Sequence, residues 1–294
     1  MNLFRKVSFL CGVLFFAGNV HATVDLVAFS YDRPLQLYAL LESIDLNLTG
    51  LNKETVIYRA SSDEFEAGYQ LVKKAFPHVI FKTQDHRNAR IDFKPLLLQS
   101  MFDSASKARY ALFAVDDIVV TRPIDLTLAA EQMEDNHAYA FFFRLGLNID
   151  HCYMTNTPSG VPRGFQFEPN LFSWKVGEGK GDWNYPNNVD LTLYRKEDIR
   201  PFFLYYPYTF PNDLEASWAQ LARGDARGIC YTESCMVNIP MNVVSSFRNR
   251  QMSYKTTKEF LELFKEGYKM DIAPLQGLKN NSPHFEVTPE FILR

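Results

Sequence analysis

The sequence lacks an excess of positive charge, is poor in cysteine, and has no apolar run long enough to cross a membrane comfortably. Its 294 residues hold 31 Lys and Arg against 34 Asp and Glu, giving a net charge of -3. This balance lacks the basic footprint of nucleic-acid-binding proteins and excludes that class. The 4 cysteines include no Cys-x-x-Cys pair, which argues against a zinc site. The sequence also has no internal repeat, block of like charge or interdomain linker, so we expect a single domain.

Residues 1–22 have the pattern of a secretory signal peptide. Two basic residues, Arg5 and Lys6, precede the apolar stretch Val7–Ala17, and a small-residue cleavage site ends at Ala22. The apolar stretch is shorter than a transmembrane helix requires. We therefore predict cleavage after Ala22 and export to the periplasm, the exterior or a secretory-pathway lumen. Contact with a membrane is expected only if the segment stays uncleaved.

The composition is otherwise that of an ordinary folded protein. Apolar residues make up 47% of the chain and charged residues 22%, as in a typical globular domain. Most of the 25 Phe, 15 Tyr and 3 Trp must therefore lie in the core. In an oxidising compartment Cys230 and Cys235 can form a disulfide that closes a short loop, with Cys152 unpaired. The sequence does not fix this connectivity.

Strands and helices alternate regularly over the first half of the domain. Apolar runs predict strands at 24–30, 54–59, 79–83 and 110–115. Helical spacing of apolar residues predicts helices at 35–46, 65–76 and 94–107. This alternation predicts an α/β fold whose mostly parallel central sheet is flanked by helices.

The second half of the chain is less regular. Its patterns predict strands at 139–144 and 189–195 and helices at 214–223 and 256–267. The segment 155–190 is rich in Asn, Pro and Gly and is predicted to be a loop.

The clearest chemical signal is a pair of adjacent carboxylates at the end of a buried strand. Asp116 and Asp117 directly follow the apolar run Tyr110–Val115. Buried carboxylates are costly unless a cation or hydrogen bonds compensate them. In open α/β sheets the carboxyl ends of the strands are also where ligands bind. The sequence therefore predicts a metal ion at this strand end.

Four segments together resemble the GT-A class of glycosyltransferases, in particular family 2-like members. They are V-D-L-V-A-F-S-Y-D-R-P, Y-A-L-F-A-V-D-D-I, G-D-W-N-Y-P-N-N-V-D-L-T-L-Y-R and F-P-N-D-L-E-A-S-W. The resemblance implies a GT-A fold over residues 23–294, with a nucleotide-binding half at 23–126 and an acceptor and lid half at 127–294. It also implies transfer of a sugar from a nucleotide-sugar donor to a saccharide or glycoconjugate acceptor, assisted by Mn²⁺ or Mg²⁺.

The resemblance also assigns residues to the metal and to catalysis. The family usually has Asp-x-Asp where this chain has Val-Asp-Asp, so Asp117 is the expected direct metal ligand. Asp116 is expected to meet the ribose or a metal-bound water, and His284 to close over the diphosphate or the metal. If transfer inverts the sugar's configuration, Asp213 or Glu215 is the expected general base, and the sequence leaves the stereochemistry open.

A further set of residues is expected to contact the donor or the acceptor. Arg87 and Arg90 are candidates for phosphate, because an arginine can bind a phosphate through two hydrogen bonds. Trp183 is a candidate for stacking on a sugar, and Asp190 for its hydroxyls. The nucleotide itself is expected to meet the segment that holds Asp32 and Arg33.

Two other functions remain compatible with the sequence. One is a non-catalytic carbohydrate-binding protein on a degenerate GT-A scaffold, because the strict Asp-x-Asp is missing. The other is a secreted glycoside hydrolase, which needs two facing carboxylates about 5 to 10 Å apart. The strand that ends in two adjacent aspartates favours the transferase over the hydrolase.

Overall fold

The computed structural model describes residues 23–244, 250–252 and 254–294. The predicted signal peptide, residues 1–22, lies outside the described residues. Nine strands form one central sheet: β1 (Val24–Tyr31), β2 (Leu51–Arg59), β3 (Ile80–Thr83), β4 (Tyr110–Val115), β5 (Ala140–Phe142), β6 (Gly164–Phe167), β7 (Leu171–Lys175), β8 (Thr192–Arg195) and β9 (Arg227–Tyr231).

The central sheet is mostly parallel. Its strand order is β6-β7-β9-β5-β8-β4-β1-β2-β3. Strands β1 to β4 run parallel to one another, and β8 enters antiparallel between β4 and β5. Strand β9 is parallel to β5, β7 is antiparallel to β9, and β6 is antiparallel to β7. Of these nine strands, only β7 and β8 run in the opposite direction to the other seven. This mostly parallel sheet confirms the predicted α/β class.

Helices cover both faces of this sheet. They are α1 (Pro34–Asn47), α2 (Asp63–Ala75), α3 (Ala89–Met101), α4 (Leu126–Asp135), α5 (Lys196–Tyr205), α6 (Pro211–Ala219) and α7 (Thr257–Lys265). Several begin at residues that satisfy the free amides of a first turn. The Ser62 hydroxyl caps α2, the Asp125 carboxylate caps α4, and Thr256 with Glu259 forms a capping box at α7.

Alternate residues of the buried strands supply two cores, one on each face of the sheet. In β1, Leu26 and Ala28 pack against one face while Val27 and Phe29 pack against the other. The second core is strongly aromatic. Phe113, for example, packs against the rings of Phe203 and Trp218. Both faces being buried explains why β1 and β4 are almost continuously apolar.

The structure departs from the predicted elements mainly in the second half. The segment predicted as a loop contains the strands β6 and β7, which pair as an antiparallel hairpin at the sheet edge. The helix predicted at 94–107 begins at Ala89 and ends at Met101, and it contains Pro95. Four short two-stranded pairings lie outside the main sheet: 48–49 with 124–125, 118–120 with 236–238, 151–152 with 157–158, and 268–270 with 291–293.

Within the described residues, no helix is long and apolar enough to span a bilayer. The three described cysteines, Cys152, Cys230 and Cys235, are free and buried. The conceivable Cys230–Cys235 disulfide does not form, because the two side chains belong to the two different cores.

Candidate functional site

A cavity of about 830 Å³ opens at the carboxyl ends of β1 and β4. Its wall contains the ends of both strands, the first turns of α6, and the segments near Asn242 and His284. The volume lies in the range of pockets that hold small molecules and cofactors. The position is the one expected for a ligand site in an open α/β sheet.

One wall of the cavity holds the acidic pair, and a buried arginine joins its two members. Arg33 Nη1 donates to Asp116 Oδ1 at 2.9 Å and to Asp117 Oδ2 at 2.8 Å. Burial alone would disfavour both charges, and the arginine supplies the compensating cation that the sequence argument required. Opposite charge and hydrogen bonding raise the pKa of Arg33 further above its ordinary value, against the effect of its own burial.

The two aspartates differ in what they can still bind. Asp116 Oδ2 accepts hydrogen bonds from Ser30 Oγ at 2.8 Å and from the Tyr31 amide at 3.2 Å. Asp116 is buried, and burial raises its pKa to about 6 although Arg33 lowers it. Asp117 accepts only through Oδ2 among the described contacts, and 15% of its side chain is exposed. Asp117 is therefore the better placed of the two to offer an oxygen to a ligand.

A second group of charges lines the same cavity as the acidic pair. His284 Nε2 lies 3.9 Å from Asp190 Oδ2, and Glu215 Oε1 accepts from the Val189 amide at 3.1 Å. The fully buried Arg144 donates to Asp182 Oδ1 at 2.8 Å and faces the same carboxylates. Three carboxylates, Asp182, Asp190 and Glu215, thus share one buried arginine, and Asp190 also lies near His284.

Burial raises the pKa values of two of these carboxylates, Glu215 and Asp190. Burial, followed by the charge of Asp190, raises the pKa of Glu215 to about 8. Burial also raises the pKa of Asp190, against the opposing effects of His284 and Arg144. Strongly shifted acids that line one cavity are characteristic of functional sites.

The structure brings most of the predicted site residues to the cavity wall. Those that line it are Arg33, Arg90, Asp116, Asp117, Asp190, Glu215 and His284. Arg90 is exposed there, with its guanidinium 5.6 Å from the centre of the Phe210 ring. Residues from six separate parts of the sequence therefore meet at one site.

The other predicted site residues do not line this cavity. Trp183 is a core residue, 1% exposed, whose indole donates to the Ile149 carbonyl, so it presents no face to a sugar. Asp213 accepts from the amide and hydroxyl of Thr209 and fixes the turn before α6. These two assignments are corrected accordingly, because both side chains are occupied by structural contacts.

Asp32 and Arg87 also lie off the cavity wall. Asp32 has a φ of +52° and its carboxylate accepts from the Ser61 amide at 2.8 Å, so it shapes the turn after β1. Arg87 is exposed in the turn before α3, away from the cavity. Of the two arginines predicted to meet phosphate, only Arg90 is in position.

Several cavity residues were not predicted from the sequence. Arg144 directly follows the apolar run at β5, which is the same signal that identified Asp116. Tyr31 and Arg59 form a stacked pair beside the acidic pair, with the guanidinium 3.7 Å from the ring centre. Asn242 has no such signal, because its contact with Arg33 joins residues 209 apart in the chain.

The acidic wall fits a divalent cation only in part. Among the described residues, three acids or histidines bring ligand atoms within 4.8 Å of one another only at Asp45, Glu54 and His78, which lie outside the cavity. Asp116, Asp117 and His284 are thus not a preformed three-ligand cage. Mg²⁺ and related ions usually take one or two carboxylates and complete their coordination with water and substrate phosphates. Asp117 suits that kind of site, with His284 facing the same cavity.

The fold and the site together define an α/β protein with a charged small-molecule cavity at the ends of its parallel strands. No protein-family model matches the chain. A curated relative, the bifunctional glycosyltransferase pgtA of Dictyostelium discoideum, is 28% identical over 197 residues, which is 60% of this chain and 24% of the relative. The chain therefore spans about a quarter of that relative's length. This match confirms the predicted resemblance to glycosyltransferases.

Solved glycosyltransferase structures show weaker likeness. S. aureus TarS 1-349 in complex with UDP matches at a TM-score of 0.48 and 16% identity, over 73% of this chain and 59% of that one. GalNAc-T7 with UDP, GalNAc and Mn²⁺ matches at 0.47 and 12% identity, over 83% and 48%. The mannosyltransferase PcManGT of Pyrobaculum calidifontis with GDP-Man and Mn²⁺ matches at 0.42 and 13% identity, over 72% and 56%.

Proposed function

We propose that this protein transfers a sugar from a nucleoside-diphosphate-sugar to the hydroxyl of a saccharide or glycoconjugate acceptor. The observation that carries the proposal is the cavity at the ends of β1 and β4, which Asp117 lines together with a second set of acids, Asp182, Asp190 and Glu215. The sequence similarity to a curated glycosyltransferase supports the same chemistry.

The donor is proposed to bind with its nucleotide near β1 and its diphosphate near Asp117. Tyr31 and Arg59 offer a flat stacked surface for the base, and Arg90 offers a cation to the phosphates. Asp117 and His284 would hold a divalent Mn²⁺ or Mg²⁺ together with the diphosphate. Such an ion stabilises, as a Lewis acid, the negative charge that grows on the leaving diphosphate.

Glu215 is proposed to take the proton of the acceptor hydroxyl in an inverting transfer. A general base works best when its pKa lies near the working pH, and the pKa of Glu215 is raised to about 8. Its Oε1 is fixed by the Val189 amide, which orients the carboxylate on the cavity wall. Asp213, the alternative predicted from the sequence, is held by Thr209 instead.

Asp190 is proposed to bind hydroxyls of the transferred sugar. It lies beside His284 and between the acidic pair and Glu215, so a sugar that spans the two charged groups would pass over it. Arg144 compensates the charge of these carboxylates and holds Asp182 by a hydrogen bond.

The proposal is tested by a thermal-shift screen of the protein with UDP, GDP and CMP, each with Mn²⁺ or with EDTA. A ligand that binds the folded state raises the melting temperature by mass action. We expect one nucleotide to stabilise the protein with Mn²⁺ but not with EDTA, and the shift to vanish in Asp117→Ala. Asp225→Ala serves as the control, because Asp225 is an exposed acid paired with Arg223 away from the cavity. The proposal fails if no nucleotide shifts the wild type under either condition.

A further inference from the structure

Arg33 is a nearly enclosed cation on the cavity wall that holds Asp116 and Asp117. Its side chain is 7% exposed, and its guanidinium contacts two separate segments besides its own. Nη1 bridges Asp116 and Asp117, while Nε donates to Asn242 Oδ1 at 2.9 Å and Nη2 donates to the Asn242 carbonyl. One side chain therefore ties together the end of β1, the end of β4 and the segment at Asn242.

The segment at Asn242 forms the rim of the cavity beside the acidic pair. Asn242, Val243 and Val244 line the cavity, and Asn242 Nδ2 donates to the Lys255 carbonyl. Just before it, the Ile239 amide donates to the Asp117 carbonyl at 2.9 Å. The position of this rim relative to Asp117 is thus set by a backbone contact and by Arg33.

We propose that Arg33 is a positioning residue that sets the affinity of the site for the metal–nucleotide complex. It binds Asp117 through Oδ2, which leaves Oδ1 of this carboxylate to face the cavity. It also binds Asn242 and so holds the neighbouring rim in place. The inference rests on the proposed function, because it concerns the same donor site. Arg33 itself need not touch the substrate, since its donors are directed to Asp116, Asp117 and Asn242.

The geometry requires arginine rather than any cation. A guanidinium presents five N–H donors in a rigid plane, and here three of its nitrogens reach two carboxylates and both oxygens of one asparagine. A lysine carries its charge on a single nitrogen and cannot reach this spread of acceptors at once. Arg33→Lys therefore keeps the charge but loses the arrangement.

Charge compensation alone is a competing account of Arg33. Removing the arginine leaves Asp116 buried with no cation, which threatens folding by itself. The double variant Arg33→Met with Asp116→Asn removes both charges and tests this account, because it restores neutrality without restoring the bridge. If Arg33 only neutralises Asp116, the double variant should bind ligand as the single variant Asp116→Asn does.

The experiment measures the dissociation constant of Mn²⁺ with the stabilising nucleoside diphosphate by titration calorimetry, together with melting temperatures. Loss of a residue that orients a metal ligand typically weakens metal binding by about 10 to 100-fold. We expect a loss of that size in Arg33→Lys and in the double variant, with the double variant melting close to the wild type. Arg195→Met is the matched control, because Arg195 is a partly buried arginine that binds Glu134 and two carbonyls away from the cavity.

The outcomes separate this inference from the proposed function. Wild-type affinity in both Arg33→Lys and the double variant overturns the positioning role while the proposed function stands. Affinity in the double variant equal to that of Asp116→Asn also overturns the inference, because the double variant lacks the bridge. Failure of the wild type to bind any nucleoside diphosphate with Mn²⁺ removes the proposed function, and the inference falls with it.

Discussion

At the scale of single residues, the cavity concentrates its chemistry in side chains whose ionisation the fold has shifted. Glu215, Asp190 and Asp116 all have raised pKa values, and burial is the first cause in each. Two buried arginines offset the repulsion between these carboxylates. Arg33 pairs with Asp116 and Asp117, and Arg144 pairs with Asp182. Because each charge is compensated by its own neighbours, the effect of a substitution can be predicted residue by residue.

Glu215→Gln is expected to reduce the transfer rate by about 100 to 10,000-fold, the usual contribution of a general base. A base must be deprotonated to act, so wild-type kcat/KM should rise with pH and level off above about 8, the raised pKa of Glu215. The measurement is a pH–rate profile of both proteins. A wild-type profile that is flat from pH 6.5 to 9, or full activity in the glutamine variant, would contradict the assignment.

Glu54 makes a prediction about stability rather than activity. Burial, followed by the charge of Asp45, raises its pKa to about 7, and 11% of its side chain is exposed. An acid whose pKa is raised in the fold stabilises the fold at low pH, and this contribution is lost as the pH rises through about 7. Glu54→Gln should therefore stabilise the protein by about 3 kcal/mol at pH 8 and much less at pH 5, since the pKa rises from 4.5 to about 7 and one pKa unit corresponds to about 1.4 kcal/mol.

The measurement for Glu54 is the free energy of unfolding in urea at the two pH values. Glu290→Gln, at an exposed position, is the control and should change little at either pH. Equal effects of Glu54→Gln at pH 5 and pH 8 would show that its ionisation does not limit stability.

At the scale of elements, the sequence predicted the first half of the chain well. Strands β1 and β4 are apolar runs, and β2 ends in one. Helices α1 and α2 have start signals of their own, Pro34 in the first turn of α1 and the Ser62 cap before α2. Both signals are local, so they can be detected without the rest of the fold.

The second half was harder to predict for an equally physical reason. The hairpin of β6 and β7 lies at the sheet edge, and β6 is mostly exposed, so it lacks the apolar pattern of a buried strand. The sequence likewise placed Asp116 and Asp117 correctly at a strand end, but not Arg33 between them, because that contact joins residues 83 apart. Only the tertiary fold brings such partners together.

The cap of α7 offers a prediction at this scale. Thr256 Oγ1 accepts from the Glu259 amide while Glu259 accepts from the Thr256 amide, which satisfies free donors of the first turn. Thr256→Ala should lower the free energy of unfolding by about 1 kcal/mol without changing nucleotide binding, because α7 lies outside the cavity wall. Thr288→Ala, at an exposed position, is the control for urea denaturation. An unchanged unfolding free energy in Thr256→Ala would show that the capping box contributes no stability.

At the scale of the whole molecule, residues 23–294 are predicted to be the mature protein. The prediction rests on the basic, apolar and small-residue order of residues 1–22. Sequencing the N-terminus of protein from its native source should find Thr23 as the first residue. An intact Met1 would rule out the cleaved signal peptide.

The central claim is that the cavity at the ends of β1 and β4 carries out sugar transfer from a nucleotide donor. The most direct test measures release of nucleoside diphosphate from a panel of nucleotide-sugars, with Mn²⁺ and a panel of saccharide acceptors. The account predicts release from one donor, increased by an acceptor, and its loss in Asp117→Ala and Glu215→Gln. If no donor is consumed while the protein cleaves glycosides with no nucleotide present, the transferase account is wrong.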